Sequence, residues 1–167
     1  MRRCFVFVAA FGILLARDAG GQTRRITVYN QIVGGRRFSI VATTRGCVAV
    51  SGSDPIAPLE IGQQPGQFRD WLVAVDSIAA IRAQRVKGEE TVFDWRVVSS
   101  GSDYVYYTRT VSTARSAEHF LGFRHDYGIQ FGSWFTDDEF SSFRQSLRRA
   151  MRMADSLADT LVTRTCY

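Results

Sequence analysis

Past its first two dozen residues the chain alternates apolar and polar positions with a period of two, the pattern of strands with one buried face, and twice gives way to a period near 3.6, the pattern of an amphipathic helix. The alternation predicts strands near 24–32, 36–43, 46–51, 57–61, 91–99, 103–112, 118–125 and 128–134. Residues that favour turns separate them: Gly34 and Gly35, then Ser51 to Pro55, then Ser100 to Ser102, then Asp126 to Gly128. The tetrapeptide Ser-Gly-Ser-Asp occurs at 51–54 and again at 100–103. Both copies read as hairpin turns, because Gly, Ser and Asp supply turn conformations and local side-chain hydrogen bonds.

The first helical stretch follows Gln64 and Pro65, with Phe68, Trp71, Leu72, Val75, Ile78 and Ala79 at three- and four-residue steps. It predicts a helix over 65–83 with proline in the first turn, where its missing N–H costs nothing. The second begins with Thr136, Asp137, Asp138 and Glu139, a capping box with acidic residues at the positive end of the helix dipole. Phe140, Phe143, Leu147, Ala150, Met151, Ala154, Leu157, Ala158 and Leu161 then mark one face, which predicts a helix over 136–162 lying on a sheet.

These elements predict an α+β fold, an antiparallel sheet in two ββββα-like halves with the long C-terminal amphipathic helix packed on the sheet. Residues 24–84 and 91–162 are candidates for an internal duplication. Leu59, Ile61, Phe68, Trp71 and Val75 align with Ile129, Phe131, Phe140, Phe143 and Leu147 if the second half carries a two-residue insertion. The twice-repeated order of four strands and a helix is similar to the architecture of single-stranded nucleic-acid binders such as the Pur-type repeat, although no motif is shared.

The N-terminus changes the picture of where this domain works. Met1, Arg2 and Arg3 precede a twelve-residue apolar stretch, Phe5 to Ala16, which is closed by Arg17 and Asp18 and followed by Ala19, Gly20 and Gly21. That order predicts a cleavable signal peptide over 1–21, because the apolar stretch is far shorter than the ~20 residues a membrane-spanning helix needs. A single domain over 22–167, secreted or periplasmic, remains. Export argues against nucleic acid as a partner, and no transmembrane span remains after cleavage. Cys4 leaves with the peptide, and Cys47 and Cys166 are left as an even pair expected to form a disulfide.

Loss of three arginines and one aspartate with the peptide lowers the formal net charge from +5 to +3. Lys87 is the only lysine. The mild, arginine-based excess permits an anionic partner without requiring one.

Candidate chemistry is sparse. His119 and His125 lie in one strand, about 20 Å apart at ~3.3 Å per residue if it is straight, too far to share a metal ion. Gly34, Gly35, Arg36 and Arg37 lack the phosphate-loop pattern and precede a strand. Glu89 and Glu90 fall in a charged connection, and no serine carries a nucleophile-elbow motif. No catalytic residue, metal site or cofactor is predicted. Two surface features point to binding. Arg144, Arg148 and Arg152 form a stripe at four-residue steps on the long helix, with Asp155 and Asp159 continuing the same face. Trp95 on one strand and Tyr104 and Tyr106 on another interleave with Arg96 and Arg109, as in a stacking surface. The expected function is an exported, non-catalytic binding module contacting an anionic or glycan component of the cell envelope. The alternatives are a secreted hydrolase with a site assembled across strands and a carrier of a small apolar ligand.

Overall fold

The structure is a computed structural model. It describes residues 23–53, 58–80, 89–96, 103–112, 118–125, 130–158 and 166. The expected signal peptide and several connections, including 81–88 and 159–165, lie outside them. Strands β1 (Arg25–Val33), β2 (Arg36–Thr43), β3 (Val48–Ser53) and β4 (Pro58–Gln63) precede helix α1 (Pro65–Ala79). Strands β5 (Glu89–Arg96), β6 (Asp103–Ser112), β7 (Glu118–His125) and β8 (Gln130–Phe135) precede helix α2 (Asp137–Leu157). Each set of strands pairs in sequence order as an antiparallel four-stranded sheet, so the fold is α+β, with α2 packed on sheet.

The helices are exchanged. α2 follows the second sheet yet lies chiefly on β1, β2 and β3 of the first, whereas α1 lies against α2 and touches β5 and β6. One hydrophobic core results, drawn from both sheets and both helices, and neither half can bury its apolar faces alone. Phe38 of β2 meets Phe135 of β8 at 4.9 Å between ring centroids, and Tyr29 of β1 meets Phe143 of α2 at 5.4 Å. The first hairpin reaches the second sheet through its turn. Gly34 and Gly35 have φ of 57° and 79°, which only glycine adopts without strain. A Cβ at Gly34 would lie 2.1 Å from the Ser133 hydroxyl.

Four expectations are corrected: α1 ends at Ala79 and not at 83, with Ala80 as its cap, Glu89 and Glu90 open β5 and do not lie in a connection, and the turn expected from Ser51 and the end of the long helix differ as follows. Ser51, Gly52 and Ser53 do not form a turn but extend β3 to Ser53. Gly52 is required there because the Phe123 and Phe131 rings of the second half pack on its backbone, each 2.7 Å from where a Cβ would stand. The long helix ends at Leu157 and not at 162, with Ala158 extended at φ −63° and ψ 112°. Cys166 is bonded to Cys47, with their Cα atoms 5.6 Å apart. The start is as expected: Thr136 accepts from the Glu139 N–H, and the Glu139 carboxylate accepts from the Thr136 N–H, completing the capping box.

Candidate functional site

Strand alternation sets what each face of the second sheet carries. Val105, Tyr107, Arg109 and Val111 of β6 are buried on the core side, so Tyr104 and Tyr106 project to the opposite, outer side. Phe120 and Arg124 of β7 and Gln130 and Trp134 of β8 share that outer face. Glycines in the register let the rings lie down. Tyr106 stands opposite Gly122, and a Cβ there would be 2.3 Å from the tyrosine ring. Gly122 stands opposite Gly132, where a Cβ would be 2.5 Å from the Phe120 ring. Each ring therefore covers the bare backbone of the neighbouring strand, the way aromatics compensate for glycine in a sheet.

The rings form an unbroken row. Centroid separations are 6.3 Å from Tyr104 to Tyr106, 5.7 Å from Tyr106 to Phe120 and 5.0 Å from Phe120 to Trp134. Trp134 ends the row and is 47% exposed, while Tyr104 and Phe120 are half-buried. Polar groups border it: Gln130 Nε2 donates to the Tyr106 hydroxyl at 2.5 Å, and the Arg124 guanidinium lies 6.0 Å from the Tyr104 centroid. Arg36 donates to the Gly132 carbonyl at 2.7 Å and brings a second positive charge. The same face of the first sheet is built differently. It carries Ser39 and Ser51, hydroxyls 2.6 Å apart, with Val41, Ala49 and Gly62, and the Cys166 carbonyl lies against Gly62. Sheet formation in this fold therefore does not demand aromatics on that face.

Of the residues expected to bind, Tyr104 and Tyr106 belong to this row. Trp95 stands opposite Tyr107 in the β5–β6 register and Arg96 opposite Tyr106. The arginine stripe lies elsewhere, between the helices. Arg144 donates to Asp76 of α1 at 2.8 Å, Arg148 donates to the same carboxylate, and Arg152 is exposed beside them. The Arg144 guanidinium also lies 5.3 Å from the Phe140 centroid. Two of the three thus hold α2 to α1.

A buried polar chain escaped the sequence reading. The core side of β6 and β7 places the Tyr107 hydroxyl 2.7 Å from His119 Nδ1, and His119 Nε2 lies 2.7 Å from Asp137 in the first turn of α2. Burial holds the tyrosine pKa above its usual value and pushes the His119 pKa below its own, with the nearby Arg109 and Arg144 charges adding to the latter. The tautomer follows: neutral Tyr107 donates to Nδ1, and Nε2–H donates to the Asp137 carboxylate. The imidazole stacks on Phe140 at 4.4 Å and is 2% exposed. Arg109, 5% exposed, donates to the Ile78 carbonyl at 2.8 Å and so puts a positive charge at the negative end of α1. His125 pairs instead with Asp103 at the rim of the sheet. The signal in the sequence was a histidine and an arginine at alternating positions otherwise filled by Leu121, Phe123, Val105 and Val111.

Among the described residues no group of three or more His, Cys, Asp or Glu side chains could hold a metal ion, and no helix is long and apolar enough to cross a membrane. No family model matches the chain, and no curated protein matches it in sequence.

Proposed function

We propose that this chain is an exported, non-catalytic binding module whose ligand is a glycan of the cell envelope, held on the outer face of β6, β7 and β8. The observation that carries the reading is the continuous row Tyr104, Tyr106, Phe120 and Trp134, with the Tyr106 and Phe120 rings covering Gly122 and Gly132, on a face where the first sheet carries Ser39, Ser51, Val41, Ala49 and Gly62. The accessible surfaces of the Trp134, Phe120 and Tyr104 rings offer apolar contact to sugar C–H groups, and the exposed Gln130 amide supplies a hydrogen-bonding group beside them. Arg124 at one end favours acidic sugars. The signal-like N-terminus and the Cys47–Cys166 disulfide support work outside the cytoplasm, where such glycans and oxidised thiols occur.

A hydrolase centred on His119 is not favoured, since its imidazole is buried and neither described cavity is lined by histidine. An apolar carrier is not favoured either, because rings from both halves fill the space between sheets and helices. The test is affinity electrophoresis of the processed protein through gels holding an acidic or a neutral polysaccharide. Retardation by the acidic polymer that falls about tenfold in Trp134→Ala, in line with ~1–3 kcal/mol for one stacking ring, is expected. Equal mobility of the wild type and Trp134→Ala in every gel would overturn the reading.

A further inference from the structure

The groove between α1 and α2 holds more guanidinium than carboxylate. It has a volume of about 260 Å³ and a floor of Leu72 and Met151, both nearly buried. Arg69 donates to Asp155 at 3.2 Å across the helix pair, while Asp76 serves Arg148 and, at 2.8 Å, Arg144. Arg152 also lines the groove, is exposed, and has no ion pair among the described residues. Among the described residues the guanidinium groups of Arg69, Arg148 and Arg152 line the groove against the carboxylates of Asp76 and Asp155, an excess of one positive charge, and Arg144 reaches Asp76 from outside the lining. Helix pairing alone needs only balanced partners, and the guanidinium of Arg152 is left over in the groove as a place for an anion.

We infer that this groove binds a phosphate group, with Arg152 and Arg148 on one wall and Arg69 on the other. The two arginines of α2 are one helical turn apart, about 6 Å along the axis, a spacing that lets their planar forks converge on one tetrahedral dianion. Val73, 65% exposed at the groove, gives the organic part of a phosphomonoester an apolar contact beside the Leu72 and Met151 floor. This site is separate from the aromatic row, and neither depends on the other.

The experiment uses the disulfide-bonded, processed protein and two probes, inorganic phosphate and vesicles of phosphatidylcholine containing phosphatidic acid. Arginine Nε–Hε resonances report the site in a phosphate titration. Saturable shifts at Arg148, Arg152 and Arg69, weakened about tenfold in Arg152→Gln as expected for loss of one charge-assisted contact, are predicted. Arg152 is exposed and has no ion pair among the described residues, so its replacement should leave the fold intact, which circular dichroism checks. Sedimentation with the phosphatidic acid vesicles that free phosphate reverses identifies a lipid headgroup as the source. Phosphate binding without sedimentation identifies a soluble phosphate compound. Absence of saturable phosphate binding, or binding that Arg152→Gln leaves unchanged, overturns the inference.

Discussion

Replacing His119 by alanine separates three contributions that the geometry joins. The imidazole stacks 4.4 Å from Phe140 and 5.9 Å from Tyr107, so its removal leaves a cavity in the core, worth ~2–4 kcal/mol by comparison with other large-to-alanine changes. The Tyr107 hydroxyl loses its acceptor at 2.7 Å and stays fully buried, which adds ~1–3 kcal/mol. Asp137 loses a donor, but its side chain is 62% exposed and water replaces it, so that part is small. His119→Ala should therefore cost about 3–7 kcal/mol, a large part of the stability of a typical domain. The sharper consequence is a reversal of sign. Tyr107→Phe in the wild type orphans Nδ1 and should destabilise by ~1–3 kcal/mol, whereas in His119→Ala it removes a hydroxyl already orphaned and should stabilise by a similar amount. Urea unfolding of the four proteins at neutral pH measures this, read from the midpoints with unchanged slopes. A Tyr107→Phe effect of the same sign in both backgrounds would refute the assignment of the hydroxyl to His119.

Three further outcomes are expected. Because burial holds the folded pKa of His119 below its ordinary 6.5, the stability it contributes is complete above that pH and is lost as pH falls below it. Urea midpoints should therefore drop under mild acid by less in His119→Gln than in the wild type, and equal drops would contradict the account. The disulfide closes a loop of sequence separation 119, so Cys47→Ser with Cys166→Ser should lower stability by up to ~5 kcal/mol in the chain-entropy picture, seen as a fall in Tm that reduction of the wild type reproduces; an unchanged Tm would contradict a stabilising bridge. Gly122→Ala should cost ~1–3 kcal/mol and alter near-ultraviolet circular dichroism, because its Cβ would displace the Tyr106 ring from 2.3 Å; an unchanged spectrum would show that the ring does not lie on Gly122.

Much of the fold could be read from local pattern, because alternation reports directly which side of a strand is buried. Val105, Tyr107, Arg109 and Val111 occupy the core side of β6 as a period of two requires, and Thr136 with Glu139 marks the start of α2. What escaped was non-local. Gly52 resembles a turn glycine in sequence, and only Phe123 and Phe131, some seventy residues later, show why a strand needs it. The arginine stripe resembles a free cationic row until α1 is seen to bring Asp76 to Arg144 and Arg148. Tyr104 and Tyr106 were recognisable as a pair on one face of a strand, though Tyr106 is buried there, and Phe120 and Trp134 join them only through a register across three strands. Exchange of the helices leaves no trace in either half, since an amphipathic face does not say which sheet will cover it.

The most direct measurement of the proposed role is a titration of the processed protein with an acidic oligosaccharide, followed through the aromatic ¹H–¹³C resonances. The account predicts saturable shifts concentrated at Trp134, Phe120 and Tyr104, with the buried Trp71 and Phe68 rings unmoved. Shifts confined to other residues, or none at saturating ligand, would contradict the assignment of this face as the binding surface.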